Sequence, residues 1–242
     1  IIHNPTEPIW KEDGTYYENF AVNYYYNPVG MIKERKGEYE SEWTRLTGNI
    51  TLEPVKGWQT NMMLATRRSN SHNKGYYTSE YYSQKMENHT GYAYHSQADS
   101  RTDNLEITSK YNMQTNNPRL EALVGYSYQY NVNEGFSVNN YDFQNDFFEY
   151  NNINIGSALK EGKAGMGSYK NDNKLIGFFG RVSYGFANKY NALISIRREG
   201  SSKFGQNNKW GSFPSASLGW TISNEDFIHG FTRLNTLQLR PG

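Results

Sequence analysis

Apolar side chains recur at every second position through much of residues 174–222. One such set is Ile176, Phe178, Gly180, Val182, Tyr184 and Phe186. In a later stretch the apolar positions are Ala216, Leu218, Trp220 and Ile222, and the small or polar positions between them are Ser215, Ser217, Gly219 and Thr221. Because successive side chains of a strand point to opposite faces, this pattern predicts strands with one apolar and one small polar face. Strands of about ten residues with aromatic residues near their ends are typical of an outer-membrane barrel wall.

The same alternation predicts earlier strands over 43–53, 58–68, 105–113 and 120–130. The segment 33–42 is predicted to be a charged connector, and Tyr24, Tyr25 and Tyr26 a short aromatic strand. Connections alternate in length, with long ones predicted over 69–103, 131–172 and 200–212. Transmembrane barrels combine short turns at one end with long loops at the other. We therefore predict an all-β fold, part of a large antiparallel transmembrane β-barrel of about eight strands with long extracellular loops.

Composition narrows the possible functions. The 25 basic residues are scattered and the net charge is +1, which argues against nucleic acid as the main ligand. There is no cysteine, which excludes disulfides, thiolate metal sites and cysteine nucleophiles. The mean hydropathy of −0.87 and the lack of a long apolar run exclude helical membrane spans. They do not exclude a barrel, because half of each barrel strand faces a polar lumen.

The two ends of the chain suggest that it is an internal fragment. The opening residues lack the basic and apolar regions of a signal peptide. The closing run, 236–240, reads as a strand that is cut off. We therefore expect residues 1–242 to be one part of a longer protein.

Three motifs in the second half of the chain resemble the SusC/RagA family of TonB-dependent outer-membrane transporters. They are Gly177–Phe–Phe–Gly–Arg–Val–Ser–Tyr184, Arg197–Arg–Glu–Gly–Ser–Ser–Lys–Phe–Gly205 and Lys209–Trp–Gly–Ser–Phe–Pro–Ser–Ala–Ser–Leu–Gly–Trp220. Glu199 stands where the family more often has Asp. The turn 224–227, the terminal Leu237–Gln–Leu–Arg240 and the segment Leu123–Val–Gly–Tyr–Ser–Tyr128 are also similar to family segments. The close match covers roughly residues 119 to 240.

The resemblance implies a barrel of 22 strands, plugged by an N-terminal domain. It also implies TonB-driven uptake of oligosaccharides or peptides, with a SusD-like surface lipoprotein as partner. On this basis residues 1–242 would be a fragment of the receptor β-barrel domain, without the plug domain and the final strands. TonB would act through the absent N-terminal region. The expected location is the cell outer membrane of a Gram-negative, Bacteroidetes-like bacterium.

Several other motifs are weak candidates for chemistry. The run Gly200–Gly205 lacks the Gly-Lys pair of a phosphate-binding loop and is expected to be a tight outer loop. The histidines His3, His72, His89, His95 and His229 have no short metal-ligand spacing. A loose acidic group around Arg101 leaves calcium open, without an EF-hand pattern: Asp99, Asp103 and Glu106. Nothing recommends an enzyme, and we predict no cofactor, catalytic residue or metal.

The aromatic residues of the long connections are the best candidates for substrate binding. One cluster is Tyr76, Tyr77, Tyr81 and Tyr82, and the other is Tyr141, Phe143, Phe147, Phe148 and Tyr150. Aromatic rings can stack on sugars while their hydroxyls form hydrogen bonds. Three roles stay open for these rings: packing the loops, contacting substrate and contacting the partner lipoprotein. The aromatic residues Tyr126, Tyr128, Tyr130, Tyr184, Phe186 and Trp220 are expected to be structural, as interfacial girdles.

A rival hypothesis is a soluble, secreted β-sandwich or propeller that binds carbohydrate through its tyrosines. It requires the alternating apolar residues to be buried inside a compact globule. The transporter hypothesis requires them to face lipid. The exposure of Phe178, Val182, Leu218 and Trp220 therefore distinguishes the two hypotheses.

Overall fold

The structure is a computed structural model, and it describes residues 6–19, 26–114, 117–228 and 235–242. The predicted strand at Tyr24 and Tyr25 and the histidines His3 and His229 lie outside these ranges. Among the described residues, no helix combines the length and the apolar character needed to cross a membrane.

The described chain folds into one antiparallel sheet in which each strand pairs with its neighbours in sequence. The strand order is β1 to β8 without a crossover. A short helix, α1 (Pro28–Lys33), precedes the sheet and another, α2 (Tyr82–Glu87), follows its second strand. The strands are β1 (Arg35–Val55), β2 (Trp58–Tyr77), β3 (Tyr92–Gln114), β4 (Arg119–Tyr141), β5 (Gly165–Phe186), β6 (Tyr190–Ser201), β7 (Trp210–Thr221) and β8 (Gln238–Leu239). The prediction of an all-β fold with about eight strands is confirmed.

The strands alternate short turns with longer connections, as the sequence predicts. The turn between β1 and β2 closes at Gly57, whose φ of +86° a side chain would strain. The turn between β5 and β6 closes through positive φ values of +54° at Ala187 and +55° at Asn188, which a tight hairpin needs. The long connections hold the helix α2 and the 3-10 turns Glu149–Ile155 and Ser157–Leu159.

The strand lengths correct the sequence-based prediction. Strands β1 to β5 have between 20 and 23 residues, about twice the expected length, whereas β6 and β7 have 12. The predicted connector 33–42 belongs mostly to β1, and the predicted loops 69–103, 131–172 and 200–212 lose their ends to strands. The reason is that backbone pairing holds a strand together whatever its side chains. Where neither face is apolar, a strand leaves no alternation in the sequence.

The chain divides into two compact units. Unit 1 is 1–43, 69–100 and 133–171, and unit 2 is 44–68, 101–132 and 172–242. The buried hydrophobic cluster of unit 1 consists of Tyr76, Ala93 and Phe143, with Tyr150 and Ile153 packed against it. Unit 2 contains the alternating apolar residues of β5, β6 and β7.

The register of β5, β6 and β7 in unit 2 places these apolar residues on one face. Val182 pairs with Ile194, and Ile194 pairs with Ala216. Phe178, Val182 and Leu218 are 51%, 47% and 62% exposed. A soluble sandwich would bury these side chains against a second sheet. The structure instead shows the lipid-facing pattern that the transporter hypothesis requires, although Trp220 is only partly exposed.

A carboxylate fixes the chain after β7. Glu225 accepts hydrogen bonds from the Tyr190 hydroxyl at 2.6 Å, Trp220 Nε1 at 2.9 Å and Lys189 Nζ at 2.9 Å. These donors, with the Tyr190 hydroxyl contributing most, lower the pKa of Glu225 to about 2. Glu225 therefore joins the hairpin after β5 to the segment after β7.

Candidate functional site

A stack of tyrosine rings lies in unit 1, and we call it the tyrosine ladder. Its members are Tyr77, Tyr81, Tyr82, Tyr92, Tyr94 and Tyr141. The sheet provides most of the rings, because Tyr77 ends β2, Tyr92 and Tyr94 begin β3, and Tyr141 ends β4. Residues two apart in a strand share a face, so Tyr92 and Tyr94 both face the ladder.

The rings of the ladder pack at stacking distances. The ring of Tyr77 lies 4.4 Å from that of Tyr81 at 10°, and 5.7 Å from that of Tyr92 at 22°. Tyr92 continues to Tyr141 at 4.6 Å, and Tyr81 continues to Tyr82 at 4.7 Å. Tyr81 is 6% exposed, and burial raises the pKa of its hydroxyl to about 12. The other rings of the ladder are partly exposed, which leaves ring surface and hydroxyls for a ligand.

Two basic side chains lie beside the ladder. The guanidinium carbon of Arg35 lies 5.8 Å from the ring centroid of Tyr77, in the middle of the ladder. At the Tyr141 end the His89 ring lies 4.8 Å from the Tyr141 ring, and its Nδ1 is 2.9 Å from Asp142 Oδ1. Asp142 therefore already partners the histidine, while Arg35 contacts tyrosines.

A second aromatic group of unit 1 is buried and holds the connection between β4 and β5. Tyr76 is fully buried and its ring meets that of Phe143 edge-on at 5.4 Å. The Tyr76 hydroxyl donates to Asp146 at 2.7 Å, and the Ser79 hydroxyl donates to the same carboxylate at 3.0 Å. Phe143 is 3% exposed. These two rings have no accessible face, so their observed role is to pack the connection onto the sheet.

Outside this core, the same connection carries two exposed aromatic rings and a third ring that is held by contacts with charged side chains. Phe147 and Phe148 are 82% and 44% exposed and meet edge-on at 5.1 Å. The Tyr150 hydroxyl donates to Glu38 at 3.1 Å, and Lys74 Nζ lies 5.3 Å from the Tyr150 ring centroid. Tyr150 is thus held by a charged pair, whereas Phe147 and Phe148 are open to solvent.

The structure thus divides the nine aromatic residues that the sequence predicts as substrate contacts. It brings Tyr77, Tyr81, Tyr82 and Tyr141 into the ladder, buries Tyr76 and Phe143, and separates Phe147, Phe148 and Tyr150 from the ladder. Sequence reasoning missed Tyr92, Tyr94 and Arg35. The alternation Tyr92–Ala–Tyr94 is the available signal, but it lies inside the segment 69–103, which the sequence predicts to be a long connection.

The weaker candidates have structural partners. In the run Gly200–Gly205, the Ser202 hydroxyl accepts from the Lys174 backbone at 2.8 Å, in a turn between two strands. His95 Nε2 lies 2.7 Å from the Tyr150 carbonyl oxygen. Within the described ranges, no three side chains of the metal-binding types are grouped closely enough to hold an ion.

The acidic group proposed for calcium is also occupied by protein partners. Asp99 accepts from the side chains of Asn70 at 2.6 Å and Gln97 at 3.0 Å. Asp103 pairs with Arg101 at 2.8 Å. These contacts give the carboxylates a structural role in the sheet.

Aromatic residues frame the exposed apolar face of unit 2. Phe178 lies 5.3 Å from Tyr126 and 6.3 Å from Trp210, and Arg198 lies over the Trp210 ring. Eight residues further along β5, Phe186 pairs with Tyr190. At about 3.3 Å per residue these two levels are roughly 26 Å apart along the strand, before any tilt. This distance fits the apolar band of outer-membrane barrels, about 25 Å tall with aromatic girdles. The class defined by fold and face is a transmembrane β-barrel wall.

Comparisons with known proteins agree with this class. No protein-family model matches the chain. The TonB-dependent receptor P3 of Formosa agariphila is 27% identical over 98% of this chain and 23% of its own length. The TonB-dependent receptor SusC of Bacteroides thetaiotaomicron is 41% identical over 31% of this chain and 8% of its own length. The chain therefore spans less than a quarter of the length of these relatives.

Solved structures show the same fold. The chain matches the structure of the RagAB peptide transporter with a TM-score of 0.75 and 20% identity, over 88% of this chain and 23% of that one. A closed state of the RagAB peptide importer gives a TM-score of 0.76 over 93% and 24%. The predicted resemblance is confirmed: the chain is similar in sequence to TonB-dependent receptors, SusC among them, and shares the fold of the RagAB structures.

Proposed function

We propose that this chain forms part of the barrel domain of an outer-membrane, TonB-dependent nutrient importer. The observation that carries the proposal is the exposed apolar face of β5, β6 and β7. Aromatic residues lie at both ends of this face, at Phe178 and at Phe186. A closed antiparallel barrel satisfies its backbone hydrogen bonds internally, which a lipid environment demands. The similarity to TonB-dependent receptors supports TonB as the energy source, and the fold similarity to a peptide importer supports import as the direction.

The proposed cargo is an oligosaccharide, with a peptide as the alternative. The tyrosine ladder supports a sugar, because stacked rings offer flat apolar faces next to hydroxyl groups. We propose Tyr77, Tyr82, Tyr92, Tyr94 and Tyr141 as the rings that contact the cargo. The peptide alternative rests on fold similarity to structures described as a peptide transporter and importer.

The proposed partners are a SusD-like surface lipoprotein and TonB, which would act through an N-terminal region of the whole receptor. The exposed rings of Phe147 and Phe148 support a partner contact, because a rigidly held pair of solvent-exposed aromatic residues suits a protein interface. The Asp146 anchor beneath them fixes the segment from which they project.

Uptake by cells that carry the full-length receptor tests the proposal. Deleting the receptor should abolish growth on, and accumulation of, its oligosaccharide, and normal uptake without it would refute an import function. Replacing Tyr92 by alanine should lower uptake roughly fivefold, since a stacked ring contributes about 1 kcal/mol. The matched control is Tyr169→Ala, which removes a half-exposed tyrosine of unit 1 outside the ladder. Equal effects of the two substitutions on uptake would show that the ladder does not contact the cargo.

A further inference from the structure

We propose that Arg35 is an anion-binding subsite at the edge of the tyrosine ladder, and that the ladder takes an acidic sugar bearing a carboxylate or sulfate group. The inference rests on the proposed import function, because it names the substrate class of the same site. It starts from one feature: Arg35 is an exposed cation whose neighbours are tyrosines.

The surroundings of Arg35 differ from those of Lys74 and Lys163 in unit 1. Lys74 pairs with Glu38 at 2.8 Å, and Lys163 pairs with Glu161 at 2.7 Å. Over the described ranges, Arg35 lies over the Tyr77 ring, with Tyr94 and Tyr81 as further neighbours and no ion pair with a carboxylate. The charge is therefore available to a ligand.

The adjacent carboxylate is directed elsewhere. Glu34 accepts the Tyr16 hydroxyl at 2.7 Å through one oxygen and the Thr78 hydroxyl at 2.7 Å through the other. The two contacts join Glu34 to the segment before α1 and to the segment after β2. Glu34 therefore does not neutralise Arg35, although the two residues are neighbours in sequence.

The tyrosines around Arg35 leave its charge unneutralised. A guanidinium has five N–H donors, and its contact with Tyr77 is to the ring of a neutral phenol. Donors therefore remain for a two-pronged contact with a carboxylate or a sulfate.

The neighbouring rings select the kind of molecule that carries the anion. Tyr77, Tyr92 and Tyr94 are partly exposed and offer ring surface and hydroxyls beside Arg35. A pyranose ring presents C–H groups to such a surface and hydroxyls to its edge. An acidic sugar therefore matches both parts of the site: the ring lies on the tyrosines and the acid group reaches Arg35.

Binding to the detergent-purified full-length receptor tests the subsite. The probes are galactose trisaccharides of three kinds: neutral, oxidised to the uronic acid, and sulfated. Titration calorimetry should show that Arg35→Gln weakens binding of an acidic probe roughly tenfold, as expected for loss of a charge-assisted bond, and changes neutral binding less than twofold. Arg35→Lys should retain part of the affinity. Arg101→Gln, which removes an arginine already paired with Asp103, should have no effect on either probe.

Each outcome decides the inference. The acidic probe that binds more tightly identifies carboxylate or sulfate as the natural group. Equal losses for acidic and neutral probes, an unchanged affinity for acidic probes in Arg35→Gln, or failure of the wild type to bind any acidic probe would each overturn it. Preference for a peptide ending in a free carboxylate over all the sugars would also overturn it. Import is measured separately in cells: Arg35-dependent binding without uptake would refute the proposed function and leave the subsite standing.

Discussion

The aromatic residues of the two units perform different tasks with the same chemical groups. In unit 1 the tyrosines contact one another, as in the pair Tyr77 and Tyr81, whose rings are 4.4 Å apart. In unit 2 the aromatic residues stand along an exposed apolar face, and the polar atoms of Tyr190 and Trp220 converge on Glu225. The aromatic rings therefore form one cluster in unit 1, whereas in unit 2 they are spread along a face of the sheet.

The difference shows that neighbours, and not residue type, decide what an aromatic side chain does. A tyrosine flanked along its strand by apolar residues becomes part of an exposed apolar face, as Tyr184 does beside Val182. A tyrosine whose neighbours across the sheet are also tyrosines becomes part of a stack, as Tyr92 does. Both arrangements use the amphipathic character of the phenol, which combines an apolar ring with a polar end.

The largest expected effect comes from the buried ring of unit 1. Replacing Tyr76 by alanine removes a fully buried side chain and its hydrogen bond to Asp146. We expect the connection between β4 and β5 to lose about 3–5 kcal/mol of local stability, as other buried aromatic residues do on truncation. Hydrogen exchange of residues 142–159 in the full-length receptor measures this loss as faster exchange.

The matched control is Phe147→Ala in the same connection. Its ring is 82% exposed, so its removal should change exchange by no more than about 0.5 kcal/mol. Similar exchange in the two variants would show that Tyr76 and Phe147 contribute equally to the stability of the connection. It would contradict the distinction between buried rings that stabilise the connection and exposed rings that do not.

The second prediction concerns the apolar face of unit 2. Ile194→Arg places a charge on the face that carries Val182 and Leu218, midway between the two aromatic levels, and Ser195→Arg places it on the opposite face of the same strand. At the middle of the bilayer, a lipid-facing arginine costs about 2–4 kcal/mol. Unfolding of the receptor in lipid vesicles should therefore show a clear loss for Ile194→Arg and a much smaller one for Ser195→Arg. Equal losses would contradict the assignment of the two faces.

This contrast also explains how much of the fold the sequence could reveal. Lipid on one side forces alternation, so the strands around Phe178, Ile194 and Leu218 were visible in the sequence, as was the short–long rhythm of the connections. Outside the alternating stretches, strands β2 to β5 carry polar residues on both faces, as in the run Ser69–Asn–Ser–His–Asn73. Backbone pairing alone extends those strands, and backbone pairing has no side-chain signature.

The candidate site was only partly predictable for a related reason. Aromatic clustering pointed to Tyr77, Tyr81, Tyr82 and Tyr141, but contacts across the sheet decide which rings meet. The stack of Tyr77 on Tyr92 depends on the register of β2 against β3, and the position of Arg35 depends on the start of β1. Tyr76 and Tyr77 are adjacent in sequence, yet one is buried in a loop core and the other joins the ladder, because successive strand residues face opposite ways.

The smallest expected effect concerns Glu225. It tests whether the hydrogen bonds to this carboxylate stabilise unit 2 in addition to the packing of the Tyr190 and Trp220 rings. The folded-state pKa of Glu225, about 2, lies below its ordinary value of 4.5, because Tyr190, Lys189 and Trp220 donate to the carboxylate. A group with a depressed folded pKa stabilises the fold above the unfolded pKa and loses that contribution as the pH falls towards the folded value. The wild-type receptor should therefore lose thermal stability between about pH 4.5 and pH 2.

Glu225→Gln should be less stable than the wild type at pH 7 and should lack this part of the acid dependence, because an amide does not titrate. Melting curves followed by tryptophan fluorescence give both results, since Trp220 donates directly to the carboxylate. Glu121→Gln is a suitable control, because that carboxylate pairs with Arg181 in a partly exposed position where an ion pair contributes at most about 1 kcal/mol. If Glu225→Gln kept the wild-type acid profile, the convergence of Tyr190 and Trp220 on one carboxylate would have no energetic role, and ring burial alone would hold that end of the apolar face.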